Sequence, residues 1–248
     1  MKNDLTRTAV IFAGGVGSRM HSKDLPKQFL RIHGKPILIW TVEEFESCPE
    51  IDSIVVVCVD KWLDYCKHMF AEFTLPKVKI ITAGGKTGQL SIREGLLAAA
   101  TLSDPRKTVV LIHDGVRPLI DKGTIERCID SVVNYGSAIT CVPAKETILV
   151  EDGGRLQIIP REKVLLARAP QAFWLSDILD AHKKAYEEGT FSYVDSASLM
   201  NFYGHELHLV VGPYENIKIT TQDDYYSMRA ILDSRENNQL YCEDEEDN

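Results

Sequence analysis

The stretch Ala9-Val10-Ile11-Phe12-Ala13-Gly14-Gly15-Val16-Gly17-Ser18-Arg19-Met20, continued by Leu25-Pro26-Lys27-Gln28-Phe29, decides how the chain is read. An apolar run of strand length breaks into glycines, and two cations follow, Arg19 and Lys27. Glycine backbone lets N–H groups approach an anion closely. A second cation a few residues on can close over the same anion from the far side of a loop. The pattern suits a triphosphate. It is not a P-loop, because no Gly-Lys-Ser or Gly-Lys-Thr closes it, and its G-G-x-G spacing differs from the dinucleotide fingerprint. A tight strand-to-helix turn with solvated cations accounts for the glycines alone. It does not account for a lysine held between a proline and an aromatic residue.

Outward from this stretch, strand-like and helical runs alternate. Ser53–Val59 is a continuous β-branched run, as in a strand buried on both faces. Val78–Thr82, Thr108–Ile112 and Ala138–Val142 read as further strands. Ile37–Phe45, Lys61–Phe73, Ser91–Thr101 and Thr124–Tyr135 read as the helices between them. The alternation predicts an α/β fold: a Rossmann-like three-layer sandwich around a mostly parallel central sheet. After Pro143 the rhythm breaks. Thr147–Val150 and Leu156–Ile159 flank Gly153-Gly154, which is a hairpin signal, and a hairpin here is expected to project as a β-arm, about 144–162. Ser176–Glu187 as helix, Leu207–Val211 as strand and Asp223–Ser234 as helix resume the pattern. The expected organisation is one domain, 1–238, followed by an acidic disordered tail, 239–248.

Composition narrows the function classes. The chain has 248 residues, 44% of them hydrophobic, with a net charge of −8. Five of those charges fall in the tail as Glu243, Asp244, Glu245, Glu246 and Asp247, which leaves the body at −3. A nearly neutral body argues against a nucleic-acid surface. No apolar stretch reaches the length of a membrane span, and no signal-peptide pattern is visible. Six cysteines without metal-ligand spacing read as buried free thiols, so a cytoplasmic location is expected.

In an open parallel sheet, ligands bind at the carboxyl ends of the strands. The predicted ends carry the glycine loop with Arg19 and Lys27, then Gly84-Gly85 with Ser91 opening the next helix. They continue with His113-Asp114-Gly115-Val116-Arg117-Pro118 and, beyond a later strand, Asn216-Ile217-Lys218-Ile219-Thr220. Taken singly, Asp114 reads equally as a turn cap, Arg117 as its ion-pair partner and Lys218 as an outward charge of an alternating strand. Thr147 and Arg161 read as surface residues, and Asp195 as a helix N-cap. Their convergence on the strand ends is what fold maintenance leaves unexplained.

This ordered set, with Ala169-Pro170-Gln171-Ala172-Phe173 and Asp195-Ser196-Ala197-Ser198, resembles the cytidylyltransferases of isoprenoid and teichoic-acid biosynthesis. The resemblance runs from about Thr8 to Leu232. It implies a CTP site drawn from Ala13, Gly14, Gly15, Gly17, Ser18, Gly85, Ser91 and Gly115, with Arg19 and Lys27 as the catalytic cations on the triphosphate. It implies an acceptor site of Asp114 and Arg117 on the polyol hydroxyls, with Lys218 and a partner subunit's Thr147 and Arg161 on the acceptor phosphate. A homodimer built through the arm and Mg²⁺ on the phosphates follow from the same resemblance. Gly88 and Ala169 depart from it, at positions where many members have arginine and threonine. The Ala-Gly-Gly-x-Gly-Ser-Arg-Met form and Trp62 look more like the ribitol-phosphate branch than the methylerythritol-phosphate branch. A non-catalytic nucleotide-binding regulator is the reading from another class, and retention of all the cations argues against it.

Overall fold

In the computed structural model of the chain, residues 4–14 and 25–241 are described, the side chains of 238–241 excepted. Gly15, Gly17, Ser18, Arg19 and Cys242 lie outside the described residues, as does the tail from 242 onward.

The apolar run that opens the sequence is β1 (Thr6–Ala13). A small hairpin, β2 (Arg31–Ile32) and β3 (Lys35–Pro36), leads into α1 (Ile37–Glu46), followed by β4 (Ser53–Cys58) and α2 (Leu63–Phe70). The rhythm continues with β5 (Val78–Ala83), α3 (Gly88–Ala99), β6 (Thr108–Asp114), α4 (Lys122–Tyr135) and β7 (Ser137–Pro143). The arm hairpin is β8 (Ile148–Asp152) and β9 (Arg155–Ile159). Then come β10 (Leu165–Trp174), α5 (Leu175–Glu187), α6 (Ser196–Phe202), β11 (Leu209–Val211) and α7 (Gln222–Tyr241).

Seven strands form the central sheet in the order β11-β7-β10-β6-β1-β4-β5. All run the same way except β10, which is antiparallel to both β6 and β7. The central strands alternate their side chains between two cores, as the pleat requires. Ala9, Ile11, Ile54, Val56 and Leu111 pack under α1, α2 and α4. Val10, Val55, Val57, Val110 and Ile112 pack under α3, α5 and α6. A strand that feeds both cores cannot carry a polar face, which is why β4 and β6 are buried along their whole length. Helix α3 lies unusually close to the sheet, because a Cβ on Gly95 would meet Val10 and Val57 side chains at 2.5 and 2.6 Å.

Four expectations are corrected. Strand β10, unread in the sequence, runs through the centre of the sheet; its Ala-Arg-Ala-Pro core has neither β-branching nor alternation to announce it. Helix α3 starts at Gly88 with Thr87 as its N-cap, accepting from the Leu90 N–H, so Ser91 sits inside the first turn and does not open the helix. Residues 216–220 are not a strand, and Lys218 lies in an irregular segment pinned by the Ile219 N–H donating to the Val116 carbonyl at 2.9 Å. Helix α7 continues to Tyr241, three residues into the expected tail.

Candidate active site

The site is built at the carboxyl ends of β1, β5 and β6, where two cavities share a wall. The first, 250 Å³, is lined by Ala13, Gly14, Lys27, Gln28 and Val116 together with Phe12, Gly88, Asp114 and Lys218. The second, 310 Å³, shares those last four and adds Arg117, Arg168, Gln171 and Asp195 among others.

The glycine-walled cavity is shaped by backbone. The Pro26-Lys27-Gln28-Phe29 turn packs Phe29 into the core against Trp62 and Tyr65. The Gln28 Nε2 donates to the Ala13 carbonyl at 3.0 Å, which ties the turn to the end of β1. Lys27 is thereby buried, 8% exposed, and its Nζ donates to the Ile219 carbonyl at 2.8 Å. Gly88 faces open space, with nothing within 4 Å of where its Cβ would be.

The charged cavity is shaped by side chains. Asp114 is held by two cations: Arg117 Nε at 3.1 Å from one carboxylate oxygen and Lys218 Nζ at 2.6 Å from the other. Burial alone would raise the Asp114 pKa, but the charges of Arg117 and Lys218 outweigh it and hold the carboxyl below its usual range. The group is therefore a carboxylate at neutral pH. Arg117 also donates from Nη1 to the Asn216 carbonyl at 2.8 Å. Behind it, His113 donates from Nε2 to the Arg117 carbonyl at 2.9 Å, and burial pulls the imidazole pKa down to about 4. His113 is thus a neutral backbone support.

The opening between β6 and β10 has a cause in register. Strand β10 pairs with β7 at Ala167–Cys141 and next at Gln171–Ile139, and it joins β6 only from Gln171 onward. Extra residues on one strand unpair the ladder and re-aim side chains. The freed carbonyls of Ala169 and Pro170 accept from Asn216 Nδ2 at 2.6 Å and Thr140 Oγ1 at 2.7 Å. Gln171 bridges to α6, donating from Nε2 to Asp195 at 2.9 Å and accepting the Ala197 N–H at 2.8 Å. Asp195 caps α6 by accepting the Ser198 N–H, as its sequence position predicts.

The structure thus brings together Ala13, Gly14, Lys27, Asp114, Arg117 and Lys218. Ser91 and Gly115 stand behind the walls. The Ser91 hydroxyl donates to the Gly85 and Thr87 carbonyls, and Gly115 uses its N–H on Phe12 and its carbonyl on Thr41. A Cβ on Gly115 would lie 2.8 Å from a Leu38 terminal methyl, 3.2 Å from the Ala13 Cβ and 3.3 Å from the Phe12 carbonyl, so packing alone favours a glycine there. Gly85 is exposed beside the α3 N-terminus. Thr147 and Arg161 are exposed at the arm and line neither cavity. Sequence reading missed Arg168 and Gln171 as wall residues; the one available signal was an arginine between two alanines directly before Pro170. Among the described residues no group of three or more His, Cys, Asp and Glu could hold a metal, and no helix is long and apolar enough to cross a membrane.

Residues 8–234 match the family described as IspD: 2-C-methyl-D-erythritol 4-phosphate cytidylyltransferase. The ribitol-5-phosphate cytidylyltransferase of Streptococcus agalactiae serotype V is 52% identical, over 94% of this chain and 97% of that protein. The 2-C-methyl-D-erythritol 4-phosphate cytidylyltransferase of Geotalea uraniireducens is 41% identical, over 92% and 97%. The crystal structure of 4-diphosphocytidyl-2C-methyl-D-erythritol synthase from Anaerococcus prevotii superposes with a TM-score of 0.79 at 29% identity, covering 93% of this chain and 97% of that one.

Proposed function

The chain belongs to the IspD family of cytidylyltransferases, and from that premise we propose that it transfers CMP from CTP to D-ribitol 5-phosphate, releasing pyrophosphate. The observation that carries the reading is the shared wall: Asp114 and Lys218 face both cavities, so two ligands bound side by side would meet there. CTP takes the glycine-walled cavity, with Lys27 on its phosphates. The polyol phosphate takes the charged one.

An acceptor phosphate oxygen forms the new bond to the α-phosphorus, and the bond from that phosphorus to the β-phosphate bridging oxygen breaks. The electron pair leaves with pyrophosphate. A phosphate dianion is already nucleophilic, so no protein nucleophile is needed. The obstacle is anion–anion repulsion, which positioned cations remove. Lys218 is the cation at the meeting point. Asp114, kept ionised, accepts hydrogen bonds from polyol hydroxyls while Arg117 holds it in place. Mg²⁺ supplies charge neutralisation on phosphate oxygens when bound; the described residues do not fit a protein cage for it, so the nucleotide would carry it.

We also read the enzyme as a homodimer working in the cytoplasm, one domain per subunit. Leu149, Leu156 and Ile158 share one face of the arm hairpin and are exposed in the single chain, and an exposed apolar face of this kind fits an interface. The arm would then deliver Thr147 and Arg161 to the other subunit's charged cavity.

Pyrophosphate release with CTP and a panel of polyol phosphates tests the reaction. Turnover of D-ribitol 5-phosphate is expected, with CTP preferred over ATP, GTP and UTP. The description of the family favours 2-C-methyl-D-erythritol 4-phosphate as the second acceptor, and preference for it in the panel would replace ribitol phosphate. Mixing inactive Arg161→Ala and Lys27→Ala proteins tests the shared site. Heterodimers hold one site with both lesions and one with neither, so part of the activity is expected to return; no return despite subunit exchange would refute the shared site.

A further inference from the structure

Arg168 is the charged side chain of the second cavity that the reaction as derived leaves without a task. Arg117 and Lys218 are both committed to Asp114, and Asp195 is committed to the α6 cap and to Gln171. Arg168 stands at the register break of β10, where the strand has left β7 and not yet joined β6. Its Nε is shut off from water without a hydrogen-bond partner, and no carboxylate among the described residues pairs with it. Burial and the neighbouring Arg117 charge both pull its pKa below the usual guanidinium value. A donor left without a partner is unfavourable in the ligand-free fold, and Arg168 as a whole is half-buried on the cavity wall, where a ligand's hydroxyls could meet its guanidinium.

Its position defines which part of the acceptor it meets. The acceptor phosphate must touch the α-phosphorus of CTP, so it sits at the wall common to both cavities. Arg168 belongs to the part of the charged cavity that is not shared. The groups that reach it are those remote from the phosphate, namely the far hydroxyls of the polyol chain. A planar guanidinium presents N–H donors in a fixed fork that matches two neighbouring oxygens. Resting on the cytidylyl-transfer reading above, we propose that Arg168 is the acceptor-specificity residue, donating to the C1 and C2 hydroxyls of a five-carbon polyol phosphate.

The test crosses enzyme and substrate changes. Values of kcat/KM are measured by pyrophosphate release for D-ribitol 5-phosphate and its 1-deoxy and 2-deoxy analogues, with wild type, Arg168→Leu and Arg168→Lys. Arg168→Leu is expected to lower kcat/KM for the parent acceptor about ten- to hundredfold, the range of a hydrogen bond from a charged group. KM for CTP should not move. At least one deoxy analogue should lose as much with wild type and lose nothing further with Arg168→Leu, because the two changes remove the same contact. Arg168→Lys should recover part of the loss. Fully additive losses with both analogues, an equal rise in KM for CTP, or an unchanged parent acceptor would each overturn the proposal. Where Arg168→Leu does not fold, Arg168→Gln is measured on the same panel and decides in the same way. A wild type that turns over no polyol phosphate breaks the underlying reading, and the proposal with it; additive losses in an active enzyme break the proposal alone.

Discussion

The two cavities stand on opposite sides of one wall and are built by different means. The glycine-walled cavity is framed by the glycine-bearing end of β1, the turn at Lys27 and the start of α3 at Gly88. The charged cavity takes its shape from side chains that arrive separately, Asp114 and Arg117 after β6, Arg168 and Gln171 from the broken register of β10, Asp195 at α6 and Lys218 from an irregular segment. Backbone can be fitted to a ligand part that never changes, such as a nucleotide. Side chains on separate elements can be exchanged one at a time, which suits the part of a reaction that differs between relatives. The curated relatives vary in this way, with cytidylyl transfer named throughout and two different acceptors.

The comparison can be broken first through its buried charges. Asp114→Ala should destabilise the fold by about 3–5 kcal/mol, because Arg117 would be left buried and unpaired. Urea unfolding measures this. Asp114→Asn, which still accepts a hydrogen bond, should lose less. If Asp114→Ala unfolds at the wild-type midpoint, the charged cavity is not held by its ion pairs. On the backbone-built side, Lys27→Ala should cost less in stability and more in rate. A drop of about 10²–10³ in turnover is expected for loss of one positioned cation at a transferring phosphate. Arg19→Ala is expected to behave likewise. Near-wild-type pyrophosphate release from either variant would remove that residue from the triphosphate site.

The same contrast explains what the sequence could reveal. Contiguous features were legible: β1 running up to Gly14, the Pro-Lys-Gln-Phe turn, the β-branched run of β4 and the arm hairpin all appear where they were expected. Asp114, Arg117 and Lys218 were legible as members of ordered motifs, although the element assigned to Lys218 was wrong. Arg168 was not legible. It depends on a register break between β10 and β7, and nothing local to Ala167-Arg168-Ala169 encodes a pairing formed with a strand some thirty residues earlier. Gly115 shows a second kind of ambiguity: a motif glycine is also set by packing, since a Cβ there would crowd Leu38, Ala13 and the Phe12 carbonyl.

A smaller effect sharpens the account of the charged side. His113 has its folded pKa pulled from 6.5 down to about 4 by burial. The unfolded chain therefore binds a proton that the folded chain refuses between those values, and stability falls as pH drops through that window. The contribution is fully present above pH 6.5 and lost toward pH 4. His182, on α5 and likewise lowered to about 4, adds to the same acid limb. Thermal unfolding from pH 7 to pH 4 should show the fall, and His113→Asn should flatten part of it while lowering stability overall. An unchanged slope in that variant would mean that His113 is not the buried neutral imidazole described here.

The smallest expected effect lies outside both cavities and has the opposite sign. Glu44 on α1 borders a third cavity of 440 Å³ with His33, Lys35, Trp40 and Arg235. Burial raises its pKa from 4.5 to about 7, and the charges of Arg235 and Lys122 only partly offset it. Here the folded chain keeps a proton that the unfolded chain releases. The stabilisation is present below pH 4.5 and is lost as pH rises through about 7. Glu44→Gln, which cannot ionise, should therefore match wild type near pH 5 and melt at a higher temperature at pH 8. Glu44 contacts neither proposed substrate, so pyrophosphate release should not change. Comparing Tm at the two pH values separates this contribution from that of His113, because one grows as the other fades. A gain of equal size at both pH values would mean that Glu44 is ionised throughout, and that its carboxylate is better solvated by the third cavity than its burial implies.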